Sequence, residues 1–231
     1  MQESKGKKLG FVLICQIRQE SFLMIKAVIF DLDGVLVEAK DWHYECLNKA
    51  LSLFGCDISY EDHLTKFDGI PTKAKLEILH KENNFPMELQ DIVYRLKQIY
   101  TQEYFSMRCL PDFSQEYLMQ KLKSENIRVA VASNSIRATV AKAMENLQIE
   151  EYIEFFLSNE DVKNGKPDPE IYLKAIAMLE LRPDECLVVE DNFNGIKAAM
   201  ASGAHLLRVD KVEEVNHVNV LNRITEINLE S

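Results

Sequence analysis

Four short apolar runs, each ending in a polar or acidic residue, constrain the fold of this 231-residue chain more than any other feature. They are KAVIF (26–30), IRVAVA (127–132), CLVV (186–189) and HLLRV (205–209). Because they are apolar at nearly every position, they are typical of strands buried on both faces of a parallel sheet. Helical patterns lie between them, one after Asp168-Pro169 and one that ends at Gly203. The pattern therefore predicts an α/β fold built on a parallel sheet.

About a hundred residues separate the first run from the second, far more than one crossover helix requires. Their apolar positions have helical spacing over 43–54, and further helices are expected near 73–81 and 87–105. Asp41 is the expected N-cap of the first of these helices. The sequence predicts an inserted α-helical domain at 38–108, here called the cap, and a core made of 24–37 and 109–231.

The first 23 residues differ from the rest. A basic stretch precedes the short apolar run GFVLICQI, which imitates a secretory signal but lacks a cleavage site and is too short to span a membrane. Because Met24 opens the first strand segment, we expect 1–23 to be a poorly packed N-terminal extension or the product of an upstream start. The five cysteines are far apart in the sequence, as reduced thiols of a cytoplasmic protein would be.

Two carboxylates follow the first run directly, in Asp31-Leu32-Asp33-Gly34. Ligands of open α/β sheets bind at the edge where parallel strands end. There Asp31 could attack phosphorus while Asp33 protonates the leaving oxygen, and Gly34 would let the chain turn sharply. The alternative is a capping aspartate, which strand-to-loop transitions commonly carry.

Polar groups follow two later runs as well. Ser133 and Asn134 stand between IRVAVA and a helix, where they form either an anion site or a plain helix cap. Lys166 lies in the turn Asn164-Gly165-Lys166-Pro167, where a fixed ammonium could contact both the nucleophile and a phosphoryl oxygen. The alternative for Lys166 is an ordinary surface charge.

Glu190 and Asp191 end the very apolar run CLVV. Two adjacent acids at that position are costly unless they are paired or bound to a cation. Together with Asp31 they offer the hard oxygen ligands that Mg²⁺ prefers. The sequence therefore predicts a magnesium site at this edge.

The stretches DLDGVLV, VASNS, GKPDPEIY and VVEDNFNGIKAA resemble, in order, the four motifs of the haloacid dehalogenase-like superfamily, over residues 24–209. The resemblance implies a Rossmann-like core and an aspartyl-phosphate mechanism. It implies that Asp31 is the nucleophile, Asp33 the acid/base, and Ser133 and Lys166 the phosphoryl contacts. It also implies Mg²⁺ bound by Asp31, by the backbone carbonyl of Asp33 and by Asp191, with Glu190 a direct or water-mediated ligand.

Within the superfamily the chain resembles the branch of β-phosphoglucomutase and phosphoglycolate phosphatase, whose helical cap follows the first motif. His43 stands at the position of a cap-hinge histidine, although a packed histidine explains its apolar face equally well. Thr72 stands where that branch has a phosphate-binding arginine, and Ala39 where it has a hydroxyl residue. Lys73 could replace the arginine as a point charge, but this exchange favours a phosphatase over a mutase.

The sequence thus predicts a magnesium-dependent phosphatase acting on a small phosphorylated metabolite, with Gly34, His43, Lys73 and Asn134 among the substrate contacts. A phosphomutase and a catalytically idle binding module of the same fold are the alternatives. A net charge of -10 argues against nucleic-acid partners, since a polymer of phosphates needs a basic surface. No membrane partner is expected either, and we expect a monomer or weak dimer.

Overall fold

The computed structural model describes residues 25–67 and 69–230, so the predicted N-terminal extension, 1–23, lies outside the described residues. Five parallel strands form one sheet in the order β3-β2-β1-β4-β5. They are β1 (Ala27–Phe30), β2 (Arg128–Ala132), β3 (Phe155–Leu157), β4 (Cys186–Glu190) and β5 (His205–Arg208). The four apolar runs all became strands, which confirms the α/β prediction.

Strand β3 was not predicted from the sequence. This strand has three residues, lies at the edge of the sheet and pairs with β2 only. Two of its three residues are only partly buried, so it lacks the continuous apolar run by which the buried strands were recognised.

Nine α-helices accompany the sheet within the described residues. They are α1 (Lys40–Ser52), α2 (Tyr60–Thr65), α3 (Thr72–Asn83), α4 (Gln90–Arg108), α5 (Phe113–Ser124), α6 (Arg137–Leu147), α7 (Glu170–Met178), α8 (Phe193–Ser202) and α9 (His217–Leu229). The first four belong to the cap, α5 connects the cap to β2, and the last four follow β2, β3, β4 and β5 in turn. Among the described residues, none of these helices is long and apolar enough to cross a membrane.

Alternate residues of β1 face opposite layers. Val28 and Phe30 join the cluster that packs α5, α6 and α9 against the sheet, whereas Ala27 and Ile29 join the cluster that contains α7 and α8. Every residue of β1 is fully buried, because both faces of the strand are covered. This burial explains why the run is apolar throughout instead of alternating.

The inserted helices have a hydrophobic cluster of their own, built from Leu47, Leu51, Leu76, Val93 and neighbouring side chains. The predicted N-cap of α1 was wrong. The cap position is Ala39, without a side-chain hydrogen bond, and Asp41 lies in the first turn, where its charge suits the positive end of the helix.

Strand register aligns three strand ends at one edge of the sheet. Phe30 lies beside Val131 of β2 and Val189 of β4, so Asp31 follows at the level of Ala132 and Glu190. The backbone N–H of Asp31 donates to the carbonyl oxygen of Val189 at 3.0 Å. The residues that continue β1, β2 and β4 therefore emerge side by side.

Candidate active site

Lys166 joins the ends of three strands. Its Nζ donates to Asp31 Oδ1 at 2.6 Å, to Glu190 Oε1 at 2.6 Å and to the carbonyl oxygen of Ala132 at 2.9 Å. The Lys166 and Asp31 side chains are 2% and 5% exposed, so these contacts are screened from solvent. Burial lowers the pKa of Lys166, but Asp31 and Glu190 more than offset this effect and hold it above its usual value. Lys166 is therefore a fixed cation and not a surface charge.

Asn134 holds the loop that carries Lys166. Its Oδ1 accepts from the Lys166 backbone N–H at 3.0 Å, and its Nδ2 donates to the Lys166 carbonyl at 3.2 Å. The same Nδ2 lies 3.2 Å from the carbonyl oxygen of Gly69, which belongs to the inserted segment. A Cβ on Gly165 would lie 2.8 Å from Asn134 Oδ1, so this close approach requires glycine. One amide thus connects the lysine loop with the cap.

Three carboxylates form an acidic cluster. Oxygen atoms of Asp31, Glu190 and Asp191 lie within 4.8 Å of one another, which is close enough to share one cation. Burial raises the pKa of Asp31 well above its usual range; Lys166 opposes this, while Glu190, Asp191 and Asp33 add to it. The carboxylates repel one another in the absence of a further positive charge. A hard divalent cation such as Mg²⁺ fits this donor set.

Gly34 makes room for the cluster. Its φ of +90° is a conformation that other residues rarely adopt, and a Cβ would lie 2.1 Å from Asp191 Oδ2. Lys40 Nζ lies 2.8 Å from the same oxygen, a contact that the sequence reading did not anticipate. Gly34 therefore acts through the space that it leaves for Asp191.

Glu190 is fully buried, and protein groups contact both of its oxygens. Oε1 accepts from Lys166 and from the Tyr172 hydroxyl at 2.7 Å, and Oε2 accepts from the Asp191 backbone N–H at 3.0 Å. A Cβ on Gly195 would lie 1.7 Å from Oε1. These contacts favour an indirect or water-mediated part for Glu190 in metal binding. The sequence places Tyr172 in an apolar helical stripe and does not predict its hydrogen bond to Glu190.

Asp33 belongs to a second set of polar contacts, which also includes Ser135, His43 and Lys97. Its Oδ2 accepts from the Ser135 hydroxyl at 2.6 Å, and its Oδ1 lies 3.0 Å from His43 Nε2. Lys97 Nζ lies 3.1 Å from the other ring nitrogen, His43 Nδ1. An ammonium can only donate, so a neutral ring accepts at Nδ1 and carries its proton on Nε2, from which it donates to Asp33. His43 is therefore not merely a packed side chain.

This chain of contacts sets the charge of Asp33. Burial raises the pKa of Asp33, but the charge that His43 carries in acid, its hydrogen bond and that of Ser135 outweigh burial and hold the pKa of Asp33 below its usual value. Burial, together with Lys97, lowers the pKa of His43. Burial also lowers the pKa of Lys97, to about 8. At neutral pH we therefore infer an ionised Asp33, a neutral His43 and a largely protonated Lys97.

Ser135 and Lys97 were missed by the sequence reading. The helical spacing could have revealed Lys97. It lies on the buried face of α4 with Val93, Thr101 and Phe105, at intervals of four residues. A lysine on a stripe of that kind is rarely buried without a partner or a function. Ser135 had no comparable signal beyond its position two residues after Ser133.

A cavity of about 360 Å³ opens between the strand ends and the inserted helices. Of the predicted site residues, Asp33, His43, Lys73 and Asn134 line it. Ser133 is 1% exposed and does not line it, and its Oγ accepts from the Ser135 backbone N–H at 3.0 Å. Lys73 is exposed on the cap side, with its ammonium 5.2 Å from the Tyr94 ring centre. The structure thus brings Asp31, Lys166 and the acidic cluster together and leaves Lys73 apart from them.

A sequence model of the haloacid dehalogenase-like hydrolases matches residues 28–209, which include all the strand-end groups described above. The chain belongs to the haloacid dehalogenase-like hydrolase family. The predicted family and its parallel-sheet fold are therefore confirmed.

Individual relatives of this haloacid dehalogenase-like hydrolase lie in the predicted branch. The phosphorylated carbohydrates phosphatase of Thermotoga maritima is 29% identical over 78% of this chain and 82% of its own length. The β-phosphoglucomutase of Bacillus subtilis is 31% identical over 78% of this chain and 80% of its own. The crystal structure of β-phosphoglucomutase from Clostridium difficile superposes with a TM-score of 0.76 and 25% identity, covering 89% of this chain and 99% of that one.

Proposed function

We propose that this protein is a magnesium-dependent phosphatase that hydrolyses a small phosphorylated metabolite through an aspartyl-phosphate on Asp31. The proposal rests on the contact between Lys166 and the acidic cluster of Asp31, Glu190 and Asp191 at one edge of the sheet. This edge lies beside a cavity that Asp33 lines. The names of relatives support it, since they include a phosphatase of phosphorylated carbohydrates and a phosphoglycolate phosphatase.

Asp31 is suited to be the nucleophile because it is buried at the end of a strand and Lys166 holds its carboxylate in place by a hydrogen bond. In the first step an Asp31 carboxylate oxygen forms a bond to phosphorus, and the bond from phosphorus to the ester oxygen breaks. Lys166, fixed and cationic, counters negative charge on both reacting partners. Asp31 and Asp191 would hold Mg²⁺, which offsets the repulsion between the carboxylate and the phosphoryl group.

Asp33 would move the protons. It gives a proton to the leaving ester oxygen, and in the second step it takes one from the water that attacks the phosphorus of the aspartyl-phosphate. That attack frees Asp31 and releases phosphate. At rest Asp33 is ionised, which suits the second step, so it must gain a proton before the first. An anionic substrate entering beside Asp33 raises its pKa and favours that protonation.

A phosphomutase is the second candidate. The 31% identity to a β-phosphoglucomutase supports it, and Lys73 lines the cavity, where its positive charge could bind a second phosphate. Against it, Thr72 lines the cavity where that branch has an arginine able to bind a phosphate with two hydrogen bonds. We therefore place hydrolysis first.

The experiment is phosphate release from p-nitrophenyl phosphate and from a panel of sugar phosphates, with Mg²⁺ and with a chelator. We expect free phosphate only with Mg²⁺, and Asp31→Asn should lower turnover by at least about 10³-fold. Transfer of the phosphoryl group to a second position on the sugar, without free phosphate, would support the mutase. No turnover under any condition would support an idle binding module.

A further inference from the structure

Tyr172 is a buried residue that the proposed mechanism does not use. It is the third residue of α7, it is fully buried, and it belongs to the hydrophobic cluster that packs α7 and α8 against the sheet. A phenylalanine would fill nearly the same volume in this cluster. Because a buried hydroxyl is costly without a hydrogen bond, the hydroxyl of Tyr172 needs a partner.

The partner of the Tyr172 hydroxyl is Glu190. The hydroxyl donates to Oε1 at 2.7 Å, and the same oxygen accepts from Lys166 Nζ at 2.6 Å. The other oxygen, Oε2, accepts from the backbone N–H groups of Asp191 and Asn192 at 3.0 Å and 3.4 Å. Donors on both oxygens therefore fix the orientation of the buried Glu190 carboxylate.

The ring of Tyr172 lies beside the ammonium group of Lys166. The distance from Lys166 Nζ to the ring centre is 4.7 Å, within the range of a cation–π interaction. Both side chains are buried, and exclusion of water strengthens this attraction. Tyr172 thus contacts the cation with its ring and the carboxylate of Glu190 with its hydroxyl.

These two contacts bear on Asp31, because Asp31 and Glu190 share the same ammonium. Lys166 Nζ donates to Asp31 Oδ1 and to Glu190 Oε1 at the same distance, 2.6 Å. The hydrogen bond from Tyr172 stabilises the negative charge of Glu190, so that Glu190 depends less on Lys166. Without this hydroxyl, Lys166 would be the one remaining donor to Oε1 within 25–67 and 69–230, and the ammonium would move toward Glu190 and away from Asp31.

We propose that Tyr172 is a positioning residue that keeps the Lys166 ammonium on Asp31, through its hydroxyl on Glu190 and its ring beside Nζ. This inference rests on the proposed function, since it concerns the orientation of the proposed nucleophile. Tyr172 is not among the described residues that line the cavity. It therefore acts through Lys166 and Glu190 and not by contact with the substrate.

The first test is Tyr172→Phe, which removes the hydroxyl and keeps the ring. With p-nitrophenyl phosphate and Mg²⁺, the release of p-nitrophenol in the first turnover reports the phosphorylation of Asp31, and its dependence on substrate concentration separates rate from binding. We expect the maximal rate of this first turnover to fall at least about tenfold, the size of one charge-assisted hydrogen bond. The half-saturating substrate concentration should change less than about twofold, because Tyr172 does not line the cavity.

Two other hydroxyls provide the controls. Tyr60→Phe removes a hydroxyl that donates to Asp41 Oδ1 at 2.9 Å, and Ser202→Ala removes a buried hydroxyl that donates to the carbonyl oxygen of Ala199 at 2.6 Å. Neither residue is among the described lining of the cavity. We expect both variants to keep the first-turnover rate within about twofold, although Ser202→Ala should melt at a lower temperature. An unchanged rate in Tyr172→Phe, or an equal fall in Ser202→Ala, overturns the inference.

The second test requires no turnover. In crystal structures of the parent and of Tyr172→Phe under the same conditions, we expect the distance from Lys166 Nζ to Asp31 Oδ1 to lengthen in the variant from 2.6 Å to more than about 3.2 Å, the limit of an N–H···O hydrogen bond. An unchanged distance overturns the inference. Failure of the proposed function has a different signature, because the parent itself would then release no phosphate from p-nitrophenyl phosphate or the sugar phosphates with Mg²⁺. Failure of this inference alone would leave the parent active and the contact between Lys166 and Asp31 intact in Tyr172→Phe.

Discussion

At the scale of single residues, Gly34 shows how a residue without a side chain can control a site. Its replacement by alanine would push a Cβ to 2.1 Å from Asp191 Oδ2, so the acidic cluster would have to rearrange. We expect Gly34→Ala to lower kcat/KM at least about a hundredfold and to raise the Mg²⁺ concentration required for half-maximal activity, because a ligand is displaced. Activity measured over a Mg²⁺ titration checks this.

Gly55→Ala is the matched control for Gly34→Ala. Gly55 also has a positive φ, of +71°, but among the described residues nothing beyond its chain neighbours lies within 4 Å of its Cβ position. Both variants should lose about 1 kcal/mol of stability from backbone strain, and Gly34→Ala should lose more because of its contact with Asp191. Only Gly34→Ala should lose activity; a comparable loss in Gly55→Ala would mean that strain, and not the contact with Asp191, is responsible.

The burial of Lys97 lowers the free energy of unfolding by an amount that depends on pH and can therefore be measured. Burial lowers its pKa from 10.5 to about 8, so the unfolded chain binds its proton more tightly than the folded one. Below pH 8 the burial of charged Lys97 lowers the free energy of unfolding by on the order of 3 kcal/mol. This loss of stability disappears as pH rises from about 8 to 10.5, where Lys97 becomes neutral in both states.

We therefore expect Lys97→Met to melt at a higher temperature than the parent at pH 7, in part offset by the lost contact with His43. The difference should shrink as pH rises toward 10. Thermal unfolding at several pH values measures it, and activity at pH 7 should fall at the same time. A difference that stays constant with pH would contradict the assigned pKa of Lys97.

At the scale of secondary-structure elements, two asparagine side chains of the core contact the cap at separated places, in addition to the contacts described above. Asn134 Nδ2 contacts the carbonyl of Gly69 beside the cavity, and Asn146 Nδ2 donates to the carbonyl of Phe105 at 2.7 Å on α4, where α4 packs on α6. Only the first contact also involves the backbone of Lys166.

Substitutions of the two asparagines should therefore distinguish an effect of the cap–core contact on catalysis from an effect on stability. We expect Asn134→Ala to lower kcat about tenfold or more and to raise KM, because both the Lys166 loop and the cap segment near Gly69 lose a partner. Asn146→Ala should lower stability by about 1 kcal/mol with little change in kcat. Steady-state kinetics and thermal unfolding on both variants check this, and equal kinetic effects would contradict a special part for Asn134.

The burial of the strands also explains which site residues could be predicted from the sequence. Residues at the ends of buried strands were found, because strand burial gives a continuous apolar run and parallel strands end at one edge. The polar contacts of Tyr172, Lys97 and Ser135 were not found, since each depends on which side chains from distant segments meet. Lys97 and His43 are 54 positions apart, and Ser135 and Asp33 are 102 apart.

At the scale of the whole molecule, the insertion after β1 places helices above the sheet edge where Asp31 lies, and the cavity forms between the two layers. The charges are divided between these layers. Carboxylates gather at the strand ends around Lys166, whereas lysines line the cap side. An acidic protein can in this way offer positive charge to an anionic metabolite, from Lys166 at the strand ends and from the lysines that line the cap side.

The proposed function depends most on a covalent intermediate at one residue, and mass spectrometry can observe it directly. The protein is mixed with Mg²⁺ and a substrate from the panel, quenched in acid within milliseconds and digested. We expect the mass of one phosphoryl group on the peptide that contains Asp31, and none on the same peptide from Asp31→Asn. Phosphate release without any phosphorylated peptide, or undiminished release by Asp31→Asn, would contradict the account.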